Sequence, residues 1–599
     1  MRLLNQKLNK LKQILNSIKI LMLLVLFPTI LFAQDFLSGG KVTGNVQLDA
    51  QLYNEDDKLG ITDSTLNYKK FGMNGFANLI YTNGNFSAGA RFEGYLNPMV
   101  GFDPRFEGVG VPYWFAKYKV GTLEMTAGHF YEQFGSGLIL RGWEEWTLGY
   151  DNNFYGFNAH FSPYKGVMLK GLVGTQRYFW EPYENSNRGI VRGIDGDFFM
   201  NDMFDVMAGS KTKISLGGSF VSKYEKVPNM TFSTDSAYST INDLGDTINW
   251  VNRKTYQLNL PHNVGSWAAR ANIAHGGFNF YVEYAEKGND PNATNNYIYK
   301  KGQAIYTTFS YSRKGFGLFL STKWIDNMSY KSSLTEAGNP PMLDINYLPA
   351  ISKEHPYSLA TMYPYGTKPN GEFGLQGQVI YTIPKKTKLG GKYGTNITFN
   401  YSLAKSIEKD TIVSSITGGM TGTDGYKTNF FSIGDLTYYQ DINLMIERKF
   451  NKKVKAKLAY YNQTYNKNVI EDDIFDDEHM VYANIGVLDL TYKFDRRNSL
   501  RMELQGLWTQ EDKGDWVAVM FEYNVSPKWF FSIQDEYNYG NPNSNMQVHY
   551  YNVSFGYNQA SNRISLRYGR QREGLLCVGG VCRYVPASTG LTLTITSSF

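Results

Sequence analysis

The chain has 599 residues, 42% of them hydrophobic, and a mean hydropathy of -0.37, a balance that reads as water-compatible rather than as a bundle of membrane helices. Tyr 45, Phe 38 and Gly 59 against Pro 19 point to a large strand-rich protein. The formal net charge of +6 includes five cations in the first 33 residues, so the remainder sits near +1 and carries no bulk bias toward nucleic acid.

The N-terminus differs in kind from the rest of the chain. Arg2, Lys7, Lys10, Lys12 and Lys19 come without an acid, then the apolar run Ile20 to Phe32, then Ala33-Gln34-Asp35. This predicts a secretory signal peptide, residues 1–33, cut after about Ala33, with 34–599 as a single domain. An uncleaved helical anchor is the alternative, but the run is short for a bilayer core and contains Pro28. No cysteine follows the cleavage point, which argues against a lipoprotein anchor.

Beyond it no segment offers ~18 continuous apolar residues, so the remaining way to satisfy backbone polar groups in lipid is a closed barrel. From Lys41 the chain alternates, with Val42, Gly44, Val46, Leu48, Ala50 and Leu52 on one face and Thr43, Asn45, Gln47, Asp49 and Gln51 on the other. The same period returns at Val454, Ala456, Leu458 and Tyr460 against Lys453, Lys455 and Lys457. It recurs at Leu500, Met502, Leu504 and Trp508 against Arg501, Glu503 and Gln505, and at Ile564, Leu566 and Tyr568 against Arg563, Ser565 and Arg567. A soluble sandwich would also alternate, but runs of about 10 to 13 residues match a tilted membrane strand.

Connections alternate between tight and long. Tight ones include Thr82-Asn83-Gly84-Asn85, Val120-Gly121-Thr122, His275-Gly276-Gly277, Asp495-Arg496-Arg497-Asn498 and Ser526-Pro527-Lys528, rich in turn residues. Long ones include Tyr131 to Asn152, Ser222 to His262, Asp326 to Asn370 and Ser406 to Ile433. The predicted fold is therefore all-β: a transmembrane antiparallel up-and-down β-barrel with short periplasmic turns and long extracellular loops. The turns divide it into about 24 strands, give or take two because Met200 to Thr212 and Pro384 to Gly394 are long for a turn. The ending Leu591, Leu593, Ile595, Ser597, Phe599 resembles the aromatic-terminated last strand by which outer-membrane proteins are recognised for assembly.

The segment Gln133-Phe134-Gly135-Ser136-Gly137-Leu138-Ile139-Leu140-Arg141-Gly142-Trp143-Glu144-Glu145, with Leu148-Gly149-Tyr150-Asp151-Asn152, resembles an uncharacterised outer-membrane barrel family of the Bacteroidetes. Cys577-Val578-Gly579-Gly580-Val581-Cys582-Arg583-Tyr584-Val585-Pro586 is similar to the same family. The resemblance implies a fold and a compartment, the Gram-negative outer membrane, and brings no activity or catalytic residues. Asp63-Ser64-Thr65, Asp235-Ser236-Ala237, Asp246-Thr247-Ile248 and Asp410-Thr411-Ile412 look like the short O-glycosylation acceptor motif of Bacteroidetes, which marks Ser64, Ser236, Thr247 and Thr411.

Segment 131–152 is the third long loop, the position at which porins fold a loop inward. Glu144, Glu145 and Asp151 are then expected to face lumen cations such as Lys455, Lys457, Arg501, Arg563 and Arg567 across a constriction, where opposed charges select solutes. The alternative is that Arg141 pairs with Glu144 or Glu145 to hold a surface loop. Cys577 and Cys582 are expected to pair, since the chain crosses an oxidising periplasm. The acidic stretch Glu471-Asp472-Asp473 to Asp476-Asp477-Glu478-His479 fits no defined calcium motif and reads as a solvated loop.

No nucleotide motif, cofactor site or nucleic-acid stripe is found, and no enzyme is expected: His129 lies near Ser136, but Gly135-Ser136-Gly137 is only a fragment of a nucleophile elbow. An empty barrel of ~24 strands would breach the permeability barrier, because 22-stranded ones already carry a plug. A first strand by about Lys41 leaves no room for the N-terminal plug of a TonB-dependent transporter, so loops, lumen side chains or a protein partner must fill it. The expected function is a loop-narrowed, porin-like channel for small hydrophilic solutes, with a non-conducting scaffold or surface-binding barrel as the alternative. Expected partners are outer-membrane lipid and lipopolysaccharide, the outer-membrane assembly machinery during insertion, and a protein occluding the barrel if loops do not.

Overall fold

Alternation along the chain becomes alternation across a wall. In the computed structural model, which describes residues 39–62, 70–180, 189–241, 247–337, 342–414, 419–471 and 480–599, a single antiparallel sheet of 24 strands closes on itself. The first eight strands are β1 (Lys41–Tyr53), β2 (Phe71–Asn83), β3 (Phe86–Leu96), β4 (Gly108–Val120), β5 (Leu123–Phe130), β6 (Phe154–Phe161), β7 (Val167–Gln176) and β8 (Ile190–Phe199). Next come β9 (Thr212–Tyr224), β10 (Asn263–His275), β11 (Phe278–Lys287), β12 (Gly302–Arg313), β13 (Phe316–Asp326), β14 (Glu372–Ile383), β15 (Thr395–Lys405) and β16 (Thr437–Lys449). The last are β17 (Val454–Asn466), β18 (Met480–Lys493), β19 (Asn498–Trp508), β20 (Trp516–Val525), β21 (Trp529–Tyr537), β22 (His549–Gln559), β23 (Asn562–Gln571) and β24 (Ser588–Ser598).

Every strand pairs with its neighbours in sequence, and β1 pairs with β24 from Asn45↔Ser598 to Tyr53↔Gly590, which removes the free edges. Phe599 completes the seam, exchanging 3.0 Å backbone hydrogen bonds with Gly44. Tight turns gather at one end and long loops at the other. Where the turn is shortest, Gly84 takes φ 56 between β2 and β3, the left-handed backbone that a two-residue hairpin of the native twist requires. Among the described residues no helix is long and apolar enough to cross a membrane. The signal peptide predicted for residues 1–33 and Ser64 lie outside the described residues, as do residues 472–479 of the acidic stretch.

The outward face is apolar. Leu52, Ile194, Trp267, Leu458, Phe521, Ile533 and Ile564 are among the large hydrophobic side chains it leaves exposed, far more than a water-soluble surface carries. The inward face changes along its length. On β16, Tyr439, Asp441 and Asn443 near the long loops are buried, whereas Glu447 near the tight turns is 30% exposed. On β19, Leu507, Gln505 and Glu503 are buried and Arg501 is 32% exposed. The lumen is thus filled in its long-loop half and open toward the tight turns.

Candidate functional site

The filling is made of loops. Residues 131–153 turn inward and set Phe134, Leu138, Ile139 and Leu140 against Leu172, Val191, Val221, Val264, Ala285 and Ala304 of the wall from β7 to β12. Residues 327–337 and 342–371 reach across the lumen. Met328, Tyr330, Ile345 and Leu348 join that first core, while Met342 and Leu343 meet Phe76 and Tyr95 of β2 and β3. Tyr357, Leu359, Tyr363 and Tyr365 pack on the opposite wall, against Tyr439, Tyr461, Val481, Ile485, Leu507 and Trp516. Valines and alanines, Val191, Val221, Val264, Ala285 and Ala304, line the wall from β8 to β12, and their small side chains let the loop pack close to it.

Charges beneath and within the plug are paired. Lys323 of β13 meets Glu372 of β14 at 2.8 Å, Lys223 of β9 meets Asp290 at 2.7 Å, and within the plug Lys331 meets Asp344 at 2.7 Å. Glu283 of β11 accepts from the Ser136 backbone N–H at 2.7 Å, and Asp441 holds His355. Just past β9, Glu225 accepts from the Leu334 N–H at 3.0 Å, and burial pushes its carboxyl up to about 7 against the pull of Lys223. The hairpin Gly574–Val578 with Val581–Val585, closed by a Cys577–Cys582 disulfide (S–S 1.97 Å), locks onto the plug. Tyr347 Oη donates to the Gly579 carbonyl at 2.6 Å, and the Arg583 guanidinium donates to the Thr147 carbonyl at 2.8 Å.

The acids of segment 131–152 meet cations other than those expected. Glu144 and Asp151 are bound by Arg91 of β3, Asp151 also by Arg177 at 2.8 Å, and Arg177 reaches Glu93 at 2.8 Å. Tyr131 Oη donates to both carboxylates, at 2.8 and 3.0 Å. Burial alone would push the Asp151 carboxyl up; Arg91 and Arg177 outweigh it and hold the group well below the usual carboxylate range. Of the five cations proposed to oppose them, Lys455 and Lys457 pair with Glu447 (2.9 and 3.8 Å), Arg501 with Asp489 (3.0 Å), and Arg563 lies over the Phe530 ring. These four stand at the tight-turn end of their strands, remote in register from the loop; Arg91 and Arg177 flank it.

Glu145 caps the short 3-10 turn Trp146–Leu148, accepting from the Thr147 N–H at 3.1 Å. Arg141 pairs with neither Glu144 nor Glu145 and instead lies over Tyr347, 4.1 Å from its ring centre. His129 sits in ring contact with Trp114 and Tyr155, while Ser136 is held at Glu283, so the two form no nucleophile and base pair. Ser236 and Thr247 fall in a loop hairpin, Thr231–Ile241 with Thr247–Gln257, and Thr411 is exposed beside Tyr426.

Between the plug and the wall of β21 to β23 lies a cavity of about 620 Å³. Its lining is largely polar: Lys353, Gln534, Glu536, Asn552, Arg567 and Arg572, with Tyr363 and Tyr550. Arg567 thus lines this space rather than a constriction at Glu144. Sequence reasoning missed the plug residues Tyr357 to Tyr365 and the Arg91–Arg177 pair. One signal was present: in Val481-Tyr482-Ala483-Asn484-Ile485-Gly486-Val487-Leu488 neither face is charged and Val481, Ala483, Ile485 and Val487 make one face wholly apolar, with Asn484 the one amide on the other, which a water-lined wall would not be.

A family model described as "Family of unknown function (DUF6029)" matches residues 15–599. The chain belongs to this family. No curated protein matches it. Among solved structures, the P pilus usher (PapC) translocation pore is 9% identical, with 93% of this chain and 99% of that one covered and a TM-score of 0.38. The siderophore receptor PirA from Pseudomonas aeruginosa is 11% identical over 93% and 80% (TM-score 0.39), and the copper transporter OprC 9% over 94% and 81% (TM-score 0.36). Likenesses this distant carry no functional argument.

Proposed function

We propose that the protein is an outer-membrane β-barrel, exported by its N-terminal signal, that passes small hydrophilic solutes along a narrow polar route beside a plug of its own loops. The apolar outward face supports contact with outer-membrane lipid and lipopolysaccharide. The observation that carries the channel reading is the polar cavity of about 620 Å³ between plug and wall, above luminal residues that are themselves exposed. No catalytic constellation accompanies it among the described residues, and the reading assigns no chemistry and no cofactor.

Conductance in a planar lipid bilayer tests it. The intact protein is expected to give small discrete steps, and a variant lacking 352–361, the plug segment beside the cavity, larger and less selective ones. A silent parent with a conducting deletion supports the second reading, a non-conducting barrel that serves as scaffold or surface-binding component. The buried wall pair Lys323–Glu372 favours that reading by fixing the loop to the wall: Lys323 Nζ donates to the Pro349 carbonyl at 2.6 Å, and Glu372 accepts from the Lys368 N–H at 2.7 Å. Silence in both proteins overturns the channel proposal.

A further inference from the structure

The cavity beside the plug is not electrically balanced. Among its lining cations Arg570 is held by Asp56 at 2.6 and 2.9 Å, and Arg572 by Glu536 at 3.4 Å. Arg567, on the inward face of β23, has a single 3.5 Å hydrogen bond, to Gln571, and among the described residues no carboxylate forms an ion pair with it. Lys353, carried in by the plug, likewise has no ion pair among them. Of the lining carboxylates, Glu536 is taken by Arg572 and Glu573 by Lys513 at 3.1 Å. The third, Glu354, is exposed and accepts from the Gly579 N–H at 3.0 Å.

We propose that this cavity binds small hydrophilic carboxylates, with the Arg567 guanidinium taking the carboxylate and Lys353 adding the second positive charge. A guanidinium presents a rigid fork of donors that matches a carboxylate in two parallel hydrogen bonds, and in a confined, partly desolvated space that pairing is stronger than in water. Neighbouring amide and hydroxyl side chains such as Gln534, Asn552 and Ser554 suit the remaining polar groups of such a solute. A volume of about 620 Å³ lies within the range of pockets that enclose small molecules. The inference rests on the channel reading, since it names the class of solute that the route would favour.

Glucuronate, glucose and glucosamine share a ring and differ in charge, so they separate charge recognition from size. Isothermal titration of the full-length, detergent-purified protein is expected to show glucuronate binding at least tenfold more tightly than glucose, and glucosamine more weakly than both. Arg567→Gln is expected to abolish the preference, Lys353→Gln to reduce it, and Arg567→Lys to keep part of it, with heat-modifiable electrophoretic mobility verifying that each variant is folded. Equal binding of the three solutes, or a preference that survives in folded Arg567→Gln, overturns the site. Silent bilayers with charge-selective titration remove the channel and keep the site; conductance without charge preference in titration does the reverse.

Discussion

Phe134 offers a direct measure of how firmly the plug is docked. Its side chain is fully buried in the core shared by both inward loops, and its ring lies over Gly193 of β8, where an added Cβ would stand 2.7 Å from Cε2. Truncation to alanine in such a core costs ~3 to 5 kcal/mol. The loop retains the Ser136 bond to Glu283 and the Arg141 N–H bond to the Ile345 carbonyl, at 2.7 and 2.8 Å, so the loss is local rather than global. With every ~1.4 kcal/mol worth tenfold in population, the undocked state should rise by about 100-fold or more. Hydrogen exchange read by mass spectrometry is the assay: amides of residues 134–142 in Phe134→Ala should exchange faster by that factor, while those of β7 and β8 stay protected. Gly193→Ala, which crowds the same ring, should act in the same direction. Unchanged exchange at 134–142 in a folded Phe134→Ala protein would refute the packing described for this loop.

Three further perturbations probe the plug's other attachments. Lys323→Met leaves Glu372, wholly buried, without its cation; a cost of ~3 to 5 kcal/mol should lower the temperature of the electrophoretic unfolding shift, and Lys323→Met/Glu372→Leu should recover most of it. Glu225 is raised from 4.5 to about 7 by burial, so the folded state takes up a proton that the unfolded chain has released. The stabilisation is therefore full below about pH 4.5, falls progressively as pH rises from there, and is lost above about 7. After correction for intrinsic rates, exchange at 332–337 should be slower at pH 6 than at pH 8, and a pH dependence that persists in Glu225→Gln would contradict the assignment. Reduction of Cys577–Cys582, a short loop closure worth ~2 kcal/mol, should free the hairpin from Tyr347 and Glu354 and raise protease sensitivity at Gly579–Gly580; free thiols in the native purified protein would remove the basis of this expectation.

The strands were legible because each carries its own message. In β19, Leu500, Met502 and Leu504 alternate with Arg501, Glu503 and Gln505, and a period of two needs no knowledge of distant residues. Turn chemistry did the rest, which is why the number of strands and the end at which long loops gather can be read from spacing. The plug was legible only as a necessity of size. Its contacts join residues far apart in the chain, such as the Ser136 N–H with Glu283 and Asn346 with the Leu138 carbonyl, and no period within a loop encodes them. Charge alone misled at Glu144 and Asp151: the sequence holds many inward cations, and only the register of β3 against the loop selects Arg91.

The burial gradient along the wall ties barrel and plug into one folding problem. Were the lumen water-filled throughout, inward positions near the long loops would be polar, as Lys455, Lys457 and Arg501 are near the tight turns. Instead Val481, Ala483, Ile485 and Val487 face inward on β18, and without residues 357–365 across them they would meet water at ~25 cal/mol per Å² of apolar area. The upper wall therefore requires the loop as much as the loop requires the wall. On the proposed channel reading a solute skirts the described plug residues, 327–337 and 342–371, on the side where the lining is polar rather than apolar. Between β21 and β23 the plug faces Gln534, Asn552 and Arg567 instead of a hydrophobic wall, and that break in the apolar seal is what the proposed route and the proposed site both use.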